Sequence, residues 1–224
     1  MLAIWGICLK TAHDKIIHLN GIKHNMKSFK QHIFEKLKVS ARNTTKHTLF
    51  PETREELDEM IRDEISAKGY ICSLNHIDVS RITDMHELFR NFNFNGDISE
   101  WDVSSVTDMH EMFAYSKFNR DISDWDVSNV ENMNYMFAFS DFNGDISNWD
   151  VSNVNNMFGM FKESTFNKDI SDWDVSNVVD MSRMFYGSNF NGDIYKWDVS
   201  KVINMKYIFD RSPLFKNPPV WYNK

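Results

Sequence analysis

The sequence predicts an α/β repeat protein, a solenoid of short parallel strands and short helices closed at its N-terminal end by a helical cap. Three observations carry that prediction. Trp101, Trp125, Trp149, Trp173 and Trp197 recur every 24 residues without insertion, each followed by Asp-Val-Ser. Written from Phe94, the unit F-N-x-D-I-S-x-W-D-V-S-x-V-x-x-M-x-x-M-F-x-x-S-x runs five times over residues 94–213, with twelve of its 24 positions the same in every copy. The 18 Phe, 13 Met and 7 Trp set against 8 Gly and 4 Pro show large apolar side chains being reused. A 24-residue unit cannot bury such side chains alone, so consecutive copies must stack and share one core.

Taken in order, residues 1–50 form a basic arm, nine Lys/Arg against Asp14 and Glu35, while the rest of the chain is acidic. Its lysines are interspersed with apolar residues rather than clustered, so a solvated face is expected and not a nucleic-acid site. Ser28-Phe-Lys-Gln31 opens a helix carrying Phe29, Ile33 and Leu37 to about Val39. Met26, directly before it, is a plausible start of translation. The opening MLAIWGICL lacks the basic lead of a secretory leader, so the sequence by itself expects a cytoplasmic chain, and no apolar run reaches the roughly 18 residues of a membrane span.

Residues 51–93 hold the cap. Thr53-Arg-Glu-Glu56 starts a helix with Leu57, Ile61 and Ile65 on one side and Gly69 as its stop. Ile77-Asp-Val-Ser80 with Ile82, Met85, Leu88 and Phe89 is a degenerate first copy. Within each full copy the alternation in Ile146–Val151 reads as a strand, and Val154, Met157, Met160 and Phe161 read as two helical turns with Ser152 as N-cap. Ser128 to Glu131 reads as a capping box. Residues 214–224 form a C-terminal cap, where Trp221 keeps the 24-residue interval but follows Pro218 and Pro219. The stacked core predicts that Trp149, inside the array, matters more to stability than Trp221 at its end.

Little in the sequence points to catalysis. Two aspartate columns, Asp97 to Asp193 and Asp102 to Asp198, together with the Asn95 to Asn191 column, read as acceptors of backbone N–H groups at their own turns. A calcium ladder is the alternative, although the copies lack the Gly-Gly-x-Gly-x-Asp spacing. Paired catalytic carboxylates need contrasting environments, and a repeat makes every environment alike. Cys8 and Cys72 make no Cys-x-x-Cys pair, His76, His86 and His110 have no metal-ligand spacing with them, and no phosphate loop or nucleophile motif is present. The sequence therefore predicts no enzyme, metal or cofactor.

Binding belongs where copies differ while facing water. The residue before each Trp, namely Glu100, Asp124, Asn148, Asp172 and Lys196, with Tyr195 beside the last, is the candidate row on the strand face. It changes sign along the array, which suits steering of a charged partner. The function expected is a protein-interaction or adhesion module, with glycan binding the alternative and an enzyme pocket near the N-terminal cap a third reading.

The strings Phe142-Asn-Gly-Asp-Ile-Ser-Asn-Trp-Asp-Val-Ser-Asn-Val and Met181-Ser-Arg-Met-Phe185, with the lead-in from Pro51 to Leu57, resemble the BspA-type surface-protein repeat, a leucine-rich-repeat relative. The resemblance covers about residues 51 to 224. It implies a leucine-rich-repeat-like solenoid, display at a cell surface and an adhesion or binding role, and it supplies no catalytic residues.

Overall fold

A computed structural model describes residues 47–223. The helix expected over 28–39, the basic arm up to residue 46 and the start at Met26 lie outside the described residues. Residues 47–50, grouped by the sequence with the arm, belong to the array instead: Leu49 forms a parallel bridge with Ile77 and its carbonyl accepts the Asp78 N–H at 2.9 Å.

Helix α1 runs Arg54–Lys68. The Thr53 hydroxyl accepts the Glu56 N–H at 3.2 Å, and the Glu56 carboxylate accepts the Glu52 N–H at 2.7 Å. Gly69 ends it with φ 87°, its N–H turning back to the Ile65 carbonyl. Leu57, Ile61 and Ile65 are buried, and the Arg54 guanidinium donates to the His86 carbonyl on the first coil. Among the described residues no helix is long and apolar enough to cross a membrane.

From Leu74 onward the backbone advances in coils of 24 residues, each hydrogen-bonded to the next. Isolated parallel bridges join Asp84, Asp108, Asn132, Asn156, Asp180 and Asn204 in succession. Two expectations for the coil interior fail here. Where a strand was expected, Ile146 to Trp149 and Val151 to Val154 are turns, closed by the Trp149 N–H on Ile146 O (3.2 Å) and the Val154 N–H on Val151 O (2.9 Å). Where a helix was expected, the Met-x-x-Met-Phe segment is a zigzag of turns. The N–H groups of Met157, Gly159, Phe161 and Glu163 donate to the carbonyls of Asp180, Ser182, Met184 and Tyr186 in the next coil, while those of Met160, Lys162 and Ser164 close i+3 turns inside their own.

The physical reason is that a helix spends every N–H on its own i−4 carbonyl, whereas here every second N–H is committed to a neighbouring copy. Reversing the chain at each step requires left-handed backbone. Two positions per coil adopt it, at φ between 52° and 64°: Glu87 and Asn91, Glu111 and Tyr115, Tyr135 and Phe139, Gly159 and Glu163, Arg183 and Gly187, Tyr207 and Arg211. Apolar spacing of three and four is met equally by helix and by such turns, so periodicity alone did not separate them. Ser152 and Ser128 are likewise not caps; their N–H groups donate to Asp150 and Asp126, and Glu131 donates its own N–H to Thr107 O.

The core is columnar. Phe89, Phe113, Phe137, Phe161, Phe185 and Phe209 stack at 5.5 to 6.1 Å between ring centroids. A second column, Phe94 to Phe190, stacks at 6.1 to 6.3 Å and meets the first within each coil. Offset aromatic pairs contribute about 0.5–1.5 kcal/mol each beyond their buried area. Each Trp indole N–H reaches a carbonyl 27 residues earlier: Trp101 to Leu74, Trp125 to Ile98, Trp149 to Ile122, Trp173 to Ile146, Trp197 to Ile170 and Trp221 to Ile194, at 2.9 to 3.2 Å. Trp221 thus sits as the inner tryptophans do. Leu214, 24 residues after Phe190, is buried in the Phe column's position, within the 3-10 turn Pro213–Phe215, and a second 3-10 turn follows at Val220–Asn223.

Polar side chains complete the ladder. Asp97, Asp121, Asp145, Asp169 and Asp193 each accept the N–H of the residue two further on, as do Asp102, Asp126, Asp150, Asp174 and Asp198. The Asn95 column does something else: Asn95, Asn119, Asn143 and Asn167 accept the N–H of the next copy's Asn, 24 residues on, at 2.8 to 2.9 Å.

Candidate binding face

In a coil whose core positions are fixed by packing, the turns gather variable residues along one outer ladder, with Ala114, Ala138, Gly159 and Ser182 buried between their neighbours. In the Met-x-x-Met-Phe-x-x segment these are the two residues after the first Met and the two after Phe. Copy by copy they read His86, Glu87, Arg90 and Asn91; His110, Glu111, Ala114 and Tyr115; Asn134, Tyr135, Ala138 and Phe139; Phe158, Gly159, Lys162 and Glu163; Ser182, Arg183, Tyr186 and Gly187; Lys206, Tyr207, Asp210 and Arg211. Half of them carry the left-handed φ values, so side chains fan out from one hydrogen-bonded ladder.

The middle of this face is aromatic. Tyr115 stacks on Phe139 at 4.5 Å and 6° between planes, and Tyr135 meets Phe158 edge-on at 4.7 Å. Lys162 lies over these rings, its ammonium 4.9 Å from Phe139, 5.7 Å from Tyr135 and 5.8 Å from Tyr186. A shallow cleft of about 220 Å³ opens here, with buried Ala114 and Ala138 among its lining and Arg90, Glu111, Tyr115, Tyr135, Phe139 and Lys162 around it. The small alanines leave the hollow that the aromatics rim. Gly159 is left-handed at φ 60°, and a Cβ there would stand 2.5 Å from the Tyr135 ring, so that ring lies down across the next coil.

Charge is arranged unevenly along the face. Arg90 is held by Glu87 at 3.1 Å and Glu111 at 2.6 Å, and Arg211 contacts Glu163 at 3.4 Å and the Tyr186 hydroxyl at 3.2 Å. Lys162 and Arg183 have no carboxylate partner among the described residues; Arg183 rests 5.6 Å from the Tyr207 ring. At the N-terminal end His86 and His110 stack at 4.9 Å, each ring nitrogen Nδ1 on the aspartate two residues before it.

The row predicted from the sequence sits elsewhere. Glu100, Asp124, Asn148, Asp172 and Lys196 are all exposed, but at a turn between the Asp-Ile-Ser and Trp segments and not on a strand face. None lines the cleft. The Glu100 N–H donates to the Asn75 side chain, and the Tyr195 hydroxyl donates to the Asn217 carbonyl, tying that residue to the C-terminal segment. The criterion of difference between copies applied equally to the outward positions above; reading their segment as a helix hid that they share one face.

Among the described residues no group of three or more His, Cys, Asp or Glu is placed to hold a metal ion. Backbone N–H donation from Ser123, aided by the Ser123 hydroxyl, holds the Asp121 carboxyl below its ordinary pKa against a smaller opposing effect of burial. The Ser128 hydroxyl and then its N–H do the same for Asp126. Burial pushes the Cys72 thiol up, away from the thiolate a nucleophile needs.

A family model described as mycoplasma protein of unknown function, DUF285, matches residues 55–162 and again 138–221. No curated protein and no solved structure gives a significant match.

Proposed function

The chain belongs to the DUF285 family, whose matches together span residues 55–221, and from that premise we propose that it is a non-enzymatic module binding a protein partner through the aromatic ladder face. The observation that carries this reading is the set of side chains placed on the variable positions of otherwise fixed coils: Tyr115, Tyr135, Phe139, Lys162, Arg183 and Tyr186. Tyr supplies large contact area at low entropic cost, and Tyr and Arg are both enriched among the residues that dominate the energetics of protein interfaces. Five inter-coil steps of about 4.8 Å make the face roughly 24 Å long, comparable with the side of a standard patch of about 800 Å² per partner. The stacked Tyr115–Phe139 platform also favours a second reading, a sugar ring lying on the aromatic plane.

Kinship with BspA-type surface repeats, a leucine-rich-repeat-like solenoid and display at a cell surface belong to the same proposal, supported by the 24-residue unit and its stacking.

A photo-crosslinking residue placed at Asn134, on the face, and at Asp124, in the exposed turn row, tests the assignment. Crosslinking to a protein from position 134 and not from 124, abolished by Phe139→Ala with Lys162→Glu, is the expected outcome. Equal capture from both positions, or a glycan array bound in place of protein, refutes it. Circular dichroism checks that the variants fold.

A further inference from the structure

Two neighbouring coils depart from the other copies in the same way. Just before its first Met, each coil carries an Asp or Asn whose side chain accepts the N–H two residues on. Asp84 takes it from His86, Asp108 from His110, Asn132 from Asn134, Asn156 from Phe158, Asp180 from Ser182 and Asn204 from Lys206. Only in the first two coils is the residue so held a histidine. There the same carboxylate also reaches the ring: Nδ1 of His86 lies 2.7 and 2.9 Å from the two Asp84 oxygens, and Nδ1 of His110 lies 2.9 Å from Asp108.

That contact fixes the tautomer. An ionised carboxylate accepts and does not donate, so Nδ1 carries the proton and the neutral ring keeps its lone pair on Nε2. Neither Nε2 has a hydrogen-bond partner among the described residues, and the two side chains are 36% and 29% exposed. The rings stack at 4.9 Å between centroids and 6° between planes. Because the Asp108 turn repeats the Asp84 turn one coil on, both Nε2 atoms lie on the same edge of the stack.

We propose that His86 and His110 form a binding site for a divalent ion of the zinc and copper(II) group, held between the two Nε2 atoms, with Asp84 and Asp108 as positioning residues. Imidazole is the ligand these ions favour, and a carboxylate on the other ring nitrogen is how metal-ligating histidines are ordinarily oriented. Two nitrogens on a tetrahedral ion stand about 3.3 Å apart, so each ring has only to lean in by roughly 0.8 Å. The local charge is suited to a cation, since Asp84 and Asp108 face Arg54, which donates to the His86 carbonyl, while Arg90 is engaged by Glu87 and Glu111. A closed structural centre takes four protein ligands. With two, water completes the shell, and the site exchanges freely and fills only while the ion is supplied. Twenty-four residues is no ligand spacing along a helix or strand, yet one coil of stacking brings the two rings into contact.

Zinc chloride and copper(II) chloride are the probes, titrated into the full chain with His13, His18, His24 and His32 changed to Gln so that histidines outside the described residues do not compete. Calorimetry should give one zinc per chain, with copper bound more tightly. Copper should broaden the amide resonances of residues 84–87 and 108–111 before any others. His86→Ala or His110→Ala should weaken binding at least tenfold, and Asp84→Asn or Asp108→Asn, which keep an acceptor at the turn as Asn132 does, about tenfold. In the absence of metal, the ring 15N shifts of both histidines should report the Nδ1–H tautomer and move away from it in the Asp variants, which a merely structural role would not produce. Amide spectra verify that every variant keeps the fold.

The proposal is overturned by no saturation at about 1 mM zinc, by binding that His110→Ala leaves unchanged, or by broadening centred on His47 or His76. Calcium bound as well as zinc also overturns it, because that ion selects oxygen ligands. Asp variants that bind as the parent does refute the positioning role. None of these outcomes bears on the partner-binding reading, which rests on Tyr115, Tyr135, Phe139, Lys162, Arg183 and Tyr186.

Discussion

Substitution at Arg183 separates a turn ladder from a helix. Arg183 has φ 56°, exposed and outward, with its N–H on Lys206 O in the next coil. Taking Arg183→Ala as reference removes the contact with Tyr207 from the comparison. Left-handed backbone costs a residue bearing a Cβ roughly 1–2 kcal/mol, and glycine avoids this while losing about 0.4–1 kcal/mol through its freer unfolded chain. Arg183→Gly is then more stable than Arg183→Ala by about 0.5–1 kcal/mol. Arg183→Val, β-branched and a genuine outlier at positive φ, falls below alanine by about 1 kcal/mol or more. In a helix the order reverses, alanine first, valine next and glycine about 1 kcal/mol below alanine. Urea unfolding of the three variants, with matched slopes, reads the order directly. Glycine as the least stable of the three would refute the left-handed ladder.

Trp149→Phe and Trp221→Phe each delete an indole hydrogen bond, and the Ile122 and Ile194 carbonyls keep the Trp125 and Trp197 backbone N–H, so no acceptor is orphaned. The hydrogen-bond losses are therefore alike, about 1 kcal/mol each, with Trp149 costing further only through packing on both sides; denaturant titration of both checks this. Asp121, Asp126, Asp145, Asp169, Asp174 and Asp198 are all held below their ordinary pKa by Ser N–H and hydroxyl donors. A depressed folded pKa gives stability that is present above the unfolded value of about 3.9 and lost as pH falls through the folded one. The melting temperature should accordingly hold near neutrality and drop below about pH 4, and a variant with all six as Asn should flatten that limb. Because the Oδ1 of each is already engaged at its own turn, neither calcium nor a chelator should shift the melting temperature in a thermal scan.

What the sequence made legible follows from where each residue's role is local. Thr53 and Gly69 bracket α1 because capping and left-handed termination are properties of a few adjacent residues. Burial of Trp, Phe, Met and Val follows from identity between copies. The path between buried positions was not legible, since Met157, Met160 and Phe161 face inward on a helix and on a turn ladder alike. The deciding groups are the N–H of Gly159 and Phe161, whose acceptors, Ser182 and Met184, lie 23 residues away. The Asn95 column was misread for the same reason: its acceptor oxygen serves the next copy. Reading that segment as a helix also left the shared face of Tyr115, Phe139 and Lys162 unseen, while the Glu100 to Lys196 row lies at exposed turns.

The bonds joining successive coils span nearly constant sequence intervals, 23 residues in the ladder, 24 along the asparagines and 27 at the tryptophans. A gene of this kind can therefore gain or lose a whole 24-residue unit and leave every remaining donor opposite an acceptor, whereas a single inserted residue mismatches an entire junction. Recombination between near-identical units then adjusts the reach of the protein in steps of about 4.8 Å, and each added unit extends the ladder by four further positions at which copies differ.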